Sequence, residues 1–311
     1  MNVRIKGRFA PSPSGRMHMG NVYSALFSWL SAKVQGGEWL LRIEDLDRQR
    51  CRREYALQIE DDLRWLGLHW DEGGTSGGES GPYFQSERDD IYNEAFERLE
   101  AGGLLYPCYC SRADLRAASA PHASDGVMLY SGRCRTLSKE QRALLAQRGK
   151  PSYRFAMPEG SVTFEDRIYG RRTFDLQGDC GDFVVRRADD NYAYQLAVVV
   201  DDALMGVTEV VRGSDLLSST PMQMALCGVL GYQVPSYMHL PMLVNSAGQR
   251  LSKRDASLDM GILRERYKPQ ELIGHLLYLV GIISSDEPLS AEEALQLFSP
   301  EKMPTADIVV G

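Results

Sequence analysis

The sequence has no excess of positive charge. Lysine and arginine number 35 against 42 aspartates and glutamates, a formal net charge of −7. A global basic field is therefore excluded, and a nucleic-acid partner would have to meet a local patch. Long apolar runs are missing too. None reaches the about 18 uncharged residues that a membrane span requires, and the best candidate, Leu196 to Val200, is cut by Asp201 and Asp202. The N-terminal residues Met1 to Arg8 lack the apolar core of a signal peptide and run straight into a strand-like segment. Six unevenly spaced cysteines in 311 residues are too few for a disulfide framework. Internal repeats are absent, which argues against a solenoid. These absences predict a cytoplasmic protein with reduced thiols and no membrane association. The remaining composition, 43% hydrophobic and 25% charged, is that of an ordinary globular chain.

What is present first is an alternation of strand and helix. Arg4–Phe9 reads as a strand, and Pro11 and Pro13 then fix an extended loop. Apolar residues at 22, 23, 26, 27, 30 and 34 keep the helical period. Trp39–Ile43 follows as a strand of the kind buried in a parallel sheet, which makes a right-handed βαβ unit. Helices are expected at 52–66 and 86–101. After Gly102-Gly103 come cysteines, a Ser/Ala/Pro/His stretch and a basic helical run near 138–149, the texture of an inserted module. From Tyr192 the α/β pattern resumes, with apolar runs to Val200 and over Val207–Val211. A helix opened by Ser219-Thr220-Pro221 and a strand over Pro241–Val244 follow. Pro269 opens a helix in the tail, and Ser290 with Glu293 forms a capping box for another.

The richest segment is Arg8-Phe9-Ala10-Pro11-Ser12-Pro13-Ser14-Gly15-Arg16-Met17-His18-Met19-Gly20-Asn21. A glycine-bearing loop that opens a helix is an anion site, because unpaired N–H groups and the helix dipole face the ligand. His18 can donate to a phosphoryl oxygen. A second loop, Arg250-Leu251-Ser252-Lys253, offers a lysine to the charge that builds up as a phosphate leaves. Alone, either triplet is an ordinary surface loop. Cys108, Cys110 and Cys134 with Tyr130 could hold zinc or be packed, reduced thiols; His122 competes for the fourth position.

Together these segments resemble the class I aminoacyl-tRNA synthetases. The first loop resembles the HIGH signature in its glutamyl form, R-F-A-P-S-P-[ST]-G-x-x-H-x-G, with Met19 and Asn21 replacing the second and fourth letters. The second resembles the KMSKS loop: Lys253 matches the second lysine, Arg250 replaces the first, and Arg254 replaces the last serine. Gly81-Pro-Tyr-Phe-Gln-Ser-Glu-Arg88 and the segments around Glu44, Tyr194 and Arg212 extend the resemblance over residues 8–255. It implies an α/β fold, a Rossmann-type parallel sheet with an inserted zinc-bearing module and a C-terminal helical tail. The implied units are 1–103 and 191–255 as the two halves of the catalytic domain, 104–190 as the insertion, and 256–311 as a helical module.

The resemblance also implies a reaction, the ATP-dependent activation of L-glutamate with Mg²⁺. His18 and Lys253 would be catalytic. Arg8, Phe9, Ala10, Pro11, Ser12, Glu44, Tyr194 and Arg212 would hold glutamate, and His18, Gly20, Asn21, Arg250, Ser252 and Lys253 would hold ATP. One structural zinc would sit on Cys108, Cys110, Tyr130 and Cys134. The chain stops at residue 311, soon after Lys253. In this it resembles the short relatives of glutamyl-tRNA synthetase that lack an anticodon-binding region and pass glutamate to queuosine of tRNA(Asp), here expected as monomers. Arg135, Arg142, Arg148, Lys150, Arg264, Arg266 and Lys268 are candidate RNA contacts. The alternatives are a truncated synthetase charging a 3′ end, a related nucleotidyltransferase, and a non-catalytic tRNA-binding module.

Overall fold

The structure, a computed structural model, describes residues 4–111, 129–147, 149–249 and 259–310. Strand β1 (Lys6–Phe9) pairs in parallel with β2 (Glu38–Leu41), and β2 with β3 (Glu72–Gly73). Helix α1 (Met19–Val34) makes the crossover. Its faces are almost all apolar, with Val22, Leu26, Phe27 and Leu30 fully buried, because it is covered on two sides. One side meets the sheet. The other meets the C-terminal helices α8 (Pro269–Leu279) and α9 (Ala291–Leu297), and the Phe27 ring lies edge-on to Phe298 at 5.8 Å. Helices α2 (Arg53–Trp65) and α3 (Asp89–Ala101) fall within the expected ranges.

Past Gly103, β4 (Leu105–Cys108), β5 (Ser152–Phe155) and β8 (Phe183–Arg186) form a separate antiparallel sheet, and α4 (Lys139–Ala146) carries the basic run. The hairpin of β6 (Ser161–Asp166) and β7 (Gly170–Asp175) instead joins the second half of the fold, where β6 pairs in parallel with β10 (Ser236–Leu240). Next to β10 lies β9 (Glu209–Gly213), again in parallel. Thr208 donates from its backbone N–H to Lys6 O at 2.9 Å, which sets β9 alongside β1.

One apolar run takes a definite form here, and one segment differs from the sequence expectation. The run ending at Val200 lies in helix α5 (Tyr194–Leu204), buried against α3 and the helix α6 (Thr220–Leu230). The strand expected over Pro241–Val244 shortens to β11 (Leu243–Val244), which pairs with β12 (Ile308–Val309). The principal strand is the preceding Ser236–Leu240, whose pattern is disguised by the fully buried His239. A short helix, α7 (Met260–Arg266), brings the chain back to the first loop: Met260 donates its N–H to Met17 O at 2.8 Å, and Asp259 forms a backbone bridge with His18. Among the described residues no helix is long and apolar enough to cross a membrane.

Candidate active site and metal centre

In an open parallel sheet, ligands bind where neighbouring strands send their connections to opposite sides, at the C-terminal ends of the strands. Here β1 and β9 are those strands. A cavity of about 480 Å³ opens between their ends, lined by Arg8–Ser12, His18, Gly20, Asn21, Glu44, Tyr194 and Arg212, with Arg16 and Met242 at its sides. Eleven residues singled out in the sequence thus share one cavity. Arg250, Ser252 and Lys253 lie outside the described residues, as do His122 and Arg148.

His18 caps α1. Gly20 donates its backbone N–H to His18 Nδ1 at 3.1 Å, and Asn21 Oδ1 accepts from the His18 N–H at 3.0 Å. Because Nδ1 accepts, a neutral ring carries its proton on Nε2, as a phosphate donor must. Glycine at position 20 leaves room for the ring: a Cβ there would sit 3.0 Å from His18 Cε1, and the imidazole would have to give by a few tenths of an ångström. Asn21 therefore does part of its work by holding the histidine.

Behind Arg8 and Glu44, which line the cavity, lies a buried electrostatic frame. Arg42, fully buried, meets Asp202 at 2.7 Å, Glu44 at 3.3 Å and Asp201 at 3.5 Å. Asp201 also accepts from Arg88 at 2.7 Å, Gln85 at 2.8 Å and the Tyr92 hydroxyl at 2.9 Å. Arg8 reaches Asp202 at 3.4 Å and donates to Val211 O at 3.2 Å. Burial opposes ionisation of Asp202, yet Arg42 and Arg8 hold its carboxyl below the usual range. Burial pushes Glu44 up, against the pull of the same two arginines. Arg212 makes no ion pair among the described residues. Its Nε donates to His239 at 3.1 Å, Nη1 to Gln223 at 2.8 Å, and Nη2 to Thr220 at 2.8 Å and Leu216 O at 3.2 Å. Among the described residues one Nη1 N–H has no acceptor, the side chain lines the cavity, and charge-assisted donors of this kind suit a carboxylate.

A second cluster lies at the end of β4. The thiols of Cys108, Cys110 and Cys134 are within 4.8 Å of one another, with Cys110 and Cys134 Sγ at 3.6 Å. Sulfurs on a tetrahedral zinc, each bonded at about 2.3 Å, would be roughly 3.8 Å apart, so the donor set fits. The Tyr130 hydroxyl stands 3.5 Å from Cys108 and 3.6 Å from Cys110, and accepts the Cys134 N–H at 2.8 Å. Arg154, buried, donates to Cys108 Sγ at 3.2 Å and stacks 3.8 Å over the Tyr130 ring. Burial works against the Cys108 thiolate, but the Tyr130 hydroxyl, a backbone N–H and Arg154 bring its pKa below the ordinary thiol value. Burial pushes Cys110 up to about 11.

Sequence reasoning missed the frame behind these residues. Asp201 and Asp202 could have been suspected, since two adjacent acids ending an apolar helix need buried partners. Asp166, His239 and Gln223 left no local signal. Of the candidate RNA contacts, Arg135, Lys150 and Arg264 pair with Asp182, Asp190 and Asp62 respectively.

The comparisons agree with this geometry. A profile of the family described as tRNA synthetases class I (E and Q), catalytic domain, matches residues 4–307. The glutamyl-Q tRNA(Asp) synthetase of Symbiobacterium thermophilum is 52% identical over 303 residues, covering 96% of this chain and 93% of that protein. Its namesake from Nitratidesulfovibrio vulgaris is 45% identical, covering 98% and 95%. Glutamate–tRNA ligase 1 of Halorhodospira halophila is 42% identical across 98% of this chain, which spans 64% of that ligase. The crystal structure of a glutamate tRNA ligase from Elizabethkingia meningosepticum in complex with its amino acid superposes with a TM-score of 0.83, at 29% identity, over 99% of this chain and 67% of that one. The chain belongs to the class I tRNA synthetases for glutamate and glutamine, and within them to the glutamyl-Q tRNA(Asp) synthetases.

Proposed function

We propose that the protein activates L-glutamate with ATP and transfers the glutamyl group to queuosine at the wobble position of tRNA(Asp). The observation that carries this reading is a cavity lined both by His18, which caps a helix N-terminus, and by the buried Arg8 and Arg212. In the first step a carboxylate oxygen of glutamate attacks the α-phosphorus of ATP. The new C–O–P linkage forms as the bond to the β-phosphate breaks, and pyrophosphate leaves. No base is required, because the nucleophile is already an anion. His18 donates from Nε2 to the phosphoryl oxygen as charge builds there, and Gly20 and Asn21 hold the ring and the helix terminus against the nucleotide. Arg250, Ser252 and Lys253 take the pyrophosphate side, with Mg²⁺ neutralising the phosphates. Arg8 and Arg212 receive the substrate's carboxylates and Glu44 its ammonium. Phe9 to Ser12 and Tyr194 shape the space between them.

In the second step a hydroxyl of queuosine attacks the carbonyl of the mixed anhydride; an ester forms as the acyl C–O bond to the phosphate breaks, AMP leaves with that electron pair, and the hydroxyl proton is released to solvent. The 52% identity to the Symbiobacterium glutamyl-Q relative, against 39–45% to the glutamate–tRNA ligases, supports queuosine as acceptor. Cys108, Cys110, Cys134 and Tyr130 would hold one zinc, which would supply a structural clamp and no chemistry to the adenylate. We take residues 104–190 as the inserted module, supported by the antiparallel sheet of β4, β5 and β8, with its β6–β7 hairpin reaching out to pair with β10 of the second catalytic half. The test is pyrophosphate exchange. It should require glutamate and resist its replacement by glutamine or aspartate. Exchange without glutamate would overturn the reading.

A further inference from the structure

Arg212 is served from behind by two residues that do not line the cavity. His239 Nε2 faces the Arg212 Nε–H at 3.1 Å and the Thr220 hydroxyl at 3.2 Å. An arginine Nε–H can only donate, so His239 Nε2 must present a lone pair. Its proton is then on Nδ1, which lies 2.6 Å from Asp166 Oδ2. Asp166 is itself fully employed. Its Oδ2 also accepts the His239 N–H at 3.1 Å, and its Oδ1 accepts the backbone N–H groups of Ile168 and Tyr169 at 3.0 and 2.9 Å. Both side chains are buried, His239 completely. Burial, with Arg212 and Arg8 adding to it, keeps the imidazole pKa low against the opposing Asp166, which is consistent with a neutral ring.

We propose that Asp166 and His239 are a positioning pair for Arg212: the neutral imidazole fixes the guanidinium, and the Asp166 charge acts one ring away instead of occupying the donor that the substrate carboxylate needs. A direct carboxylate on Arg212 would satisfy the buried charge equally well but compete with glutamate. The ring separates the two tasks. Because Asp166 ends β6 and closes the turn into β7, the same contacts tie the β6–β7 hairpin to the pocket wall. This inference rests on the reading that Arg212 binds glutamate.

The test compares His239→Gln with His239→Leu in glutamate-dependent pyrophosphate exchange, varying glutamate and ATP separately. Glutamine keeps an acceptor for Arg212 and a donor for Asp166; leucine keeps only the bulk. His239→Leu should raise the glutamate KM about ten- to a hundredfold while the ATP KM stays within about twofold, and His239→Gln should recover most of that loss. If the leucine variant does not fold, His239→Asn, whose stem is too short to serve both partners, should show the same selective rise. An unchanged glutamate KM, a parallel rise in both KM values, or a glutamine variant as impaired as leucine would each overturn the pair. Arg212→Gln is run alongside: if it leaves the glutamate KM unchanged, the assignment of Arg212 falls as well. A raised KM there with an unaffected His239→Leu removes the positioning pair alone.

Discussion

Arg42 and Arg212 are both buried guanidiniums of the same fold, yet one is surrounded by carboxylates and the other by neutral acceptors. Arg42 meets three acids within 3.5 Å; Arg212 meets an imidazole, an amide, a hydroxyl and a carbonyl. The chemistry of each set fits a different task. A cation whose charge is fully matched by the protein holds the frame together. A cation held in place by neutral groups keeps its field for a ligand. Arg154 belongs with the second kind: its Nε points to the Cys108 sulfur, and it uses the carbonyl of Asp182 at 3.0 Å and not the carboxylate.

This contrast can be broken by mutation, starting with the frame. Arg42→Ala leaves Asp201, Asp202 and Glu44 without their common partner. Removing one member of a buried ion cluster typically costs about 3–5 kcal/mol. Urea unfolding should show a loss of that order, with glutamate and ATP binding lost together. A stable variant that loses only glutamate would mean Arg42 is a ligand residue. His18→Ala should slow adenylate formation about 10²–10³-fold with little change in glutamate affinity, the size expected for one lost transition-state donor; stopped-flow activation at saturating ATP reads it. Arg212→Gln should do the reverse of Arg42→Ala. It should leave the fold intact and weaken glutamate, not ATP, by about ten- to a hundredfold. Calorimetry with each ligand separately decides this, and equal losses for both would place Arg212 with the frame.

The smallest effect on adenylation is expected at the metal cluster. The purified protein should carry about one zinc per chain. Cys110→Ser should deplete the metal and make the segment between residues 104 and 190 easier to cleave with protease, since metal affinity and local folding are linked. Arg154→Leu should speed zinc release to a chelator while leaving all four ligands in place. Full occupancy and unchanged release in both variants would contradict the reading of this cluster.

The contrast also separates what was legible in the sequence from what was not. Residues 8–21 could be read because loop, cap and helix are contiguous: His18, Gly20 and Asn21 interact within three positions. Glu44, Tyr194 and Arg212 could be placed by the segments around them, and all three line the cavity. The frame was hidden because its pairs are remote in sequence, Arg42 with Asp202 and Arg88 with Asp201. No periodicity reports such a pairing. Asp166 and His239, 73 positions apart, show the same limit, and His239 also masked β10 by interrupting its apolar pattern. Tyr130 and His122 could not be separated by spacing alone; the Tyr130 hydroxyl is beside the thiols, while His122 lies outside the described residues.

Labelled glutamate, ATP and the protein should be incubated with tRNA(Asp) that contains queuosine and with tRNA(Asp) that lacks it, and the labelled fragment located by nuclease mapping. Label is expected in the anticodon loop, at queuosine, and only on the first RNA. Label on the 3′-terminal adenosine, or equal label on both RNAs, would contradict it.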